Sequence, residues 1–156
     1  MNNSTGGPDT PGSFDVPGLG RFVYDGQGGD YRNYVFSIDA GGRKPTLVLA
    51  YLHQDESRLT DAYLTHIARV VNAVTPDCRP LLHSVREQLL QLMERYEIDA
   101  PENYADLVDE MRLTHIKPFP EGGGELIFDL CSWIVSFNVN IALDADLLVK
   151  DVWFDG

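Results

Sequence analysis

The apolar residues of this chain change their spacing twice along its length, and that change constrains the fold more than any motif does. Between residues 21 and 52 lie three short runs: Arg21-Phe22-Val23-Tyr24, Tyr34-Val35-Phe36-Ser37-Ile38 and Thr46-Leu47-Val48-Leu49-Ala50-Tyr51-Leu52. They are rich in β-branched and aromatic residues and bounded by glycine, so they read as strands. Residues 25–30 and 39–43 supply the Gly and Asp that tight antiparallel turns use. Over residues 57–75 the period becomes 3.6. Leu59, Tyr63, Ile67, Val70, Val71 and Val74 fall on one helical face, with Asp55 or Ser57 as cap, Asp61 in the first turn and Pro76 as the stop. A second helix is expected after Asp77, with its stripe on Leu82, Val85, Leu89, Leu92, Met93 and Tyr96. A third, capped at Asp99, presents Tyr104, Leu107, Val108 and Met111.

After Met111 the period returns to two. Residues 113–117, 125–130, 134–143 and 147–154 read as strands, separated by Glu121-Gly122-Gly123-Gly124 and by Asp144-Ala145-Asp146. In the run 134–143, Val135, Phe137, Val139 and Ile141 alternate with Ser136, Asn138 and Asn140, which predicts one buried and one wet face. Strands on both sides of a run of helices predict an α+β domain. It is a mainly antiparallel sheet of about six or seven strands, with two or three helices inserted after the third strand and packed on one face. At 156 residues the chain has room for one such domain. Residues 1–19, with Gly and Pro among Asn, Ser and Thr, bury too little apolar surface to offset their ordering entropy. They read as a flexible leader that Phe14 and Val16 anchor as a short strand or clip against the domain, which leaves residues 20–156 as the domain.

Composition excludes several functions. Twenty-four acidic against twelve basic side chains leave a formal charge of −12, so a nucleic-acid partner held through its phosphates is not expected. Neither glycine cluster fits a phosphate loop. Cys78 and Cys131 have neither CxxC spacing nor a histidine pair, which argues against zinc and against a disulfide framework and fits a compartment that keeps thiols reduced. The first residues have no basic and apolar signal pattern, and no apolar run approaches the ~18–20 residues that span a bilayer. A cytoplasmic protein with no membrane partner is expected.

Four histidines, His53, His66, His83 and His115, match no HExxH or paired-ligand spacing, so neither a metal nor another cofactor is expected. His66 reads as a boundary residue of the first helix, and His83 shares a wet face with Arg86, Glu87 and Gln91. His53 with Asp55 and Glu56, at a strand-to-helix junction, is the cluster that a general base or a metal could use. With His66 it supports an alternative reading, a small hydrolase or metal-dependent enzyme, and predicts a concave pocket where at least two of these residues converge. Cys78 precedes a helix whose amides could lower a thiol pKa, although an ordinary loop cysteine fits as well. No residue is assigned a catalytic role.

The charge is unevenly placed. Residues 1–98 hold nine basic and twelve acidic side chains, whereas residues 99–156 hold three basic and twelve acidic. Tyr104, Phe119, Phe128, Trp133, Phe137, Trp153 and Phe154 stand in the same acidic segment. Aromatic anchors within an acidic field suit the capture of a basic protein, since the field steers association and the rings contribute burial. The expected field is Asp106, Asp109, Glu110, Asp144, Asp146 and Asp151, with Tyr104, Trp133 and Trp153 as anchors.

The ending Leu126-Ile127-Phe128-Asp129, Trp133, Val139-Asn140-Ile141, Asp144 and Val149-Lys150-Asp151-Val152-Trp153-Phe154-Asp155-Gly156 resembles the closing strands of small acidic bacterial immunity proteins. These are paired with toxins delivered by contact-dependent or type VI secretion. The resemblance covers the order of elements over residues 20–156 and, residue by residue, the last thirty or so. It implies a stoichiometric, non-catalytic cytoplasmic inhibitor that binds one cognate secreted toxin, often over its active site, with no cofactor.

Overall fold

A tight turn delivers each strand beside the one before it, so sequential strands pair as antiparallel neighbours. In the computed structural model, which describes residues 12–39, 44–56, 59–75, 77–130 and 138–155, this rule builds one eight-stranded sheet whose spatial order is the order of the sequence. Its strands are β1 (Ser13–Val16), β2 (Gly20–Gly28), β3 (Tyr31–Ile38), β4 (Thr46–His53), β5 (Arg112–Pro118), β6 (Gly124–Asp129), β7 (Asn138–Leu143) and β8 (Val149–Asp155). Every neighbouring pair is antiparallel except β4 and β5, which run parallel. Between those two strands the chain returns through α1 (Asp61–Val74), α2 (Arg79–Ser84), α3 (Arg86–Arg95) and α4 (Tyr104–Glu110). The α+β class is the one the periodicity predicts.

The details differ from expectation where short segments borrow order from neighbours. Eight strands stand where six or seven are expected, because β1 arises inside the stretch read as a leader. Its backbone pairs with β2, Val16 is buried, and Phe14 stacks on Phe22 at 5.2 Å and meets Tyr34 edge-on at 4.9 Å. The helices consequently follow the fourth strand, not the third. Among the described residues they number four, since the stripe from Leu82 to Tyr96 divides at the buried Val85, whose φ of −104° and ψ of 16° leave the helical well. Thr60 caps α1, its hydroxyl accepting from the Tyr63 N–H at 3.1 Å, in place of Asp55 or Ser57; Ser57 and Pro76 lie outside the described residues. Asn103, not Asp99, caps α4 by accepting from the Ala105 N–H. Residues 97 and 98 instead close α3, with Ile98 N–H on the Met93 carbonyl and Glu97 N–H on that of Glu94. That geometry holds Glu97 at a φ of 57°, where glycine is the usual occupant. The first glycine cluster lies mostly within β2, where a bulge between Tyr24 and Gln27 absorbs it. The turn residues 40–43 and strand residues 134–137 fall outside the described residues.

Strand alternation then separates the two faces of the sheet. Tyr34, Val48, Ala50, Leu52, Leu126, Phe128, Val139, Ile141, Val152 and Phe154 point to one face and join Ile67, Val70, Val71, Leu89 and Met93 of the helices in a single buried cluster. Tyr96, just past α3, stacks on Phe154 at 5.5 Å and ties the helical layer to the last strand. The intervening residues, among them Val35, Leu49, Tyr51, Ile127 and Trp153, project from the opposite face and are only partly covered. Among the described residues no helix is long and apolar enough to cross a membrane.

Candidate functional site: an aromatic cleft on the open face

The parallel junction of β4 and β5 is the weak seam of the sheet. Their register comprises two pairs, Leu47 with His115 and Val48 with Ile116, although β4 continues to His53 and β5 to Pro118. Beyond that register a side chain takes the place of the ladder. The Tyr63 hydroxyl, reaching in from α1, accepts from the Tyr51 N–H at 3.0 Å and donates to the Pro118 carbonyl at 2.7 Å. Burial pushes its pKa well above the ordinary tyrosine range, so it stays a protonated donor. Replacing Tyr63 by Phe strands a buried carbonyl and an amide, and the expected cost is about 1–3 kcal/mol. Urea unfolding checks this; a loss below about 0.5 kcal/mol would show that the hydroxyl is not what joins the strands.

Where the two strands part, a cleft of about 300 Å³ opens on the face away from the helices, lined by Tyr31, Tyr51, Phe119, Pro120 and Glu121. The rings form a row, with Tyr51 6.3 Å from Phe119, Tyr31 6.1 Å from Tyr51 and His53 5.4 Å from Tyr31. Desolvation, with the nearby Glu125 carboxylate, pushes Tyr51 up to about 12, so this phenol is neutral at physiological pH. Glu125 stands opposite Lys117 in the β5–β6 register. Glu121, on the turn, is exposed and has no cation within 4 Å among the described residues.

The turn that presents Phe119 and Glu121 is held from behind. Phe119 N–H bonds the Gly123 carbonyl at 3.2 Å, and Gly122 N–H bonds that of Phe119 at 3.0 Å. The same Gly123 carbonyl lies 2.6 Å from His66 Nε2, and a carbonyl can only accept, so Nε2 carries the proton. One turn further along α1, Arg69 donates to the Ala145 carbonyl of the neighbouring β7–β8 hairpin at 3.1 Å. His66 is therefore a clamp on the cleft's loop.

The residues expected to form one acidic surface are dispersed. Tyr104 is core, not an exposed anchor: it is 6% exposed, and its hydroxyl donates to the Leu82 carbonyl at 2.6 Å to join α4 to α2. Its ring belongs to the apolar stripe of α4, and a helix this short must bury that stripe to persist. Asp106, Asp109 and Glu110 are exposed on α4. Asp144 is a turn residue, its carboxylate accepting from the N–H groups of Asp146 at 2.8 Å and Leu148 at 3.0 Å, and Asp146 is exposed beside it. Asp151 and Trp153 pair with Ala142 and Asn140, which places them on the open face, opposite the buried Val152 and Phe154. Trp133 lies outside the described residues. The helical-layer acids and the open-face pair thus point to different sides of the sheet.

Of the His53 cluster, the structure brings two members together, His53 Nδ1 lying 3.5 Å from the Asp55 carboxylate. His53 Nδ1 accepts from the Asp55 N–H at 3.2 Å, which occupies the lone pair that a general base would use. The Glu56 carbonyl takes a hydrogen bond from Arg32, and its N–H donates to the His53 carbonyl. His66 faces Gly123, and none of His53, Asp55, Glu56 and His66 lines the cleft. Burial raises the Cys78 thiol pKa, the opposite of the activation a helix start could give. Among the described residues no group of three or more His, Cys, Asp or Glu side chains is placed to hold a metal ion.

Tyr31, Tyr51 and Glu121 were not singled out by the sequence. Their only signal is that Tyr31 and Tyr51 occupy outward positions of strands whose inward positions are apolar, and nothing local says that Phe119 will lie beside Tyr51. No family model matches the chain, and no curated protein or solved structure matches it either.

Proposed function

We propose that this chain is a non-catalytic binding protein of the immunity type, which neutralises a basic cognate toxin in the cytoplasm through an acidic, aromatic-bearing surface. The observation that carries the reading is the state of its acids. Asp106, Asp109, Asp144, Asp146 and Asp151 make no side-chain ion pair within 4 Å among the described residues, in a chain of net charge −12. Unpaired carboxylates raise the association rate of a cationic partner and offer its Lys and Arg side chains new pairs at no cost of broken internal ones. A toxin that acts on an anionic substrate carries such cations in its active site, so pairing with them blocks it. The open sheet face, with Asp151 and Trp153, and the α4 acids offer two separate patches for this contact.

The test is co-purification with the product of the adjacent reading frame, followed by a salt titration. The expected result is a complex at low salt whose affinity falls about tenfold or more between ~50 mM and ~500 mM NaCl. No complex at low salt would overturn the reading, and an affinity indifferent to salt would remove its electrostatic basis.

A further inference from the structure

We infer that the cleft between Tyr31, Tyr51, Phe119 and Glu121 is the receptor for one arginine side chain of a protein partner. This rests on the basic-partner reading and gives it a specific site. Several independent features of the cleft favour a guanidinium over an apolar group. Its walls are aromatic rings, whose negative faces attract a cation, and guanidinium, being planar and weakly hydrated, stacks on such faces better than an ammonium does. Its rim carries Glu121, exposed and free of any cation within 4 Å among the described residues. A carboxylate beside aromatic walls recognises the fork and the plane of guanidinium together.

Size and rigidity agree with that occupant. At about 300 Å³ the cleft is at the small end of ligand sites, which suits a single side chain and not a nucleotide or an extended cofactor. Its floor is fixed by the Tyr63 hydroxyl between Tyr51 and Pro118, and its loop by His66 on Gly123, so little ordering is left for binding to bring about. The cleft also lies at the carboxyl ends of β4 and β5, beyond the two register pairs that join them.

The experiment titrates the protein alone with N-acetyl-arginine methylamide, following the ring resonances of Tyr31, Tyr51 and Phe119 by NMR. The neutral isostere N-acetyl-citrulline methylamide is the matched control. The expected result is saturable binding in the millimolar range, about tenfold or more weaker for citrulline and for the Glu121→Gln protein. Glu121 is an exposed turn residue, so this variant keeps the fold; Tyr51→Ala is the second variant, scored only after its circular dichroism matches the parent. Equal binding of citrulline, or no shift up to about 100 mM arginine amide, overturns the assignment. The outcome is separable from the reading it rests on. Arginine amide binding without any partner complex would sink the immunity reading and leave the cleft assigned. A salt-sensitive complex that Glu121→Gln and Tyr51→Ala leave unchanged would do the reverse.

Discussion

Phe128→Ala is expected to lower the unfolding free energy by about 3–5 kcal/mol. Phe128 is fully buried in β6, between Leu113 of β5 and Val139 of β7, and Val139 in turn pairs with Phe154 of β8. The ring therefore fills the part of the core where the four C-terminal strands meet. Truncation removes its burial and leaves a cavity that paired strands cannot close, because their spacing is set by backbone hydrogen bonds. A domain of this size is stable by about 5–15 kcal/mol, so the loss is about a fifth of the total or more. Urea denaturation followed by circular dichroism measures it as a shift in midpoint at constant slope. A loss under about 1.5 kcal/mol would contradict the packing described for β5 to β8.

Gly123→Ala is expected to cost about 2–5 kcal/mol, a large effect for one added methyl group. The residue sits at a φ of +69°, where a side chain is strained by about 1–2 kcal/mol. Its new Cβ would also stand 2.3 Å from the Leu143 carbonyl oxygen and 3.2 Å from that of Asp144, both backbone atoms of the adjacent strand end. Relieving that overlap moves the β5–β6 turn away from the β7–β8 hairpin, at the cost typical of overpacking, about 1–3 kcal/mol. The same shift carries the Gly123 carbonyl away from His66 and Phe119 and disturbs the cleft loop. Thermal unfolding measures the first effect and the Phe119 ring resonances the second. An Ala variant as stable as the parent would refute the close approach of the two turns.

Much of this architecture was legible because it is periodic. Alternation in β4 and the stripe from Tyr63 to Val74 identify element type and inward face from neighbouring residues alone, whereas in β7 Asn140, expected on the wet face, is 2% exposed. Asp144 was legible as a turn residue, since an aspartate that bonds the amides ahead of it needs only local chain. Boundaries were less so. The expected caps, Asp55 or Ser57 for α1 and Asp99 for α4, lie three to five residues before Thr60 and Asn103, which cap the two helices. Tyr104 shows the limit most clearly, since a ring on a short helix satisfies an anchor and a core residue equally until a neighbouring helix covers it.

By itself the sequence determined the α+β class, the central placement of the helices, the inward face of most strands and the acidic charge. Each of these follows from residues within a few positions of one another or from a simple count. Tertiary structure alone decided that the acids divide between two sides of the sheet and that Tyr51 lies beside Phe119. The reason is physical: strand pairing joins residues through hydrogen bonds between distant backbones, and the helical crossover between β4 and β5 leaves no local mark of where those backbones meet.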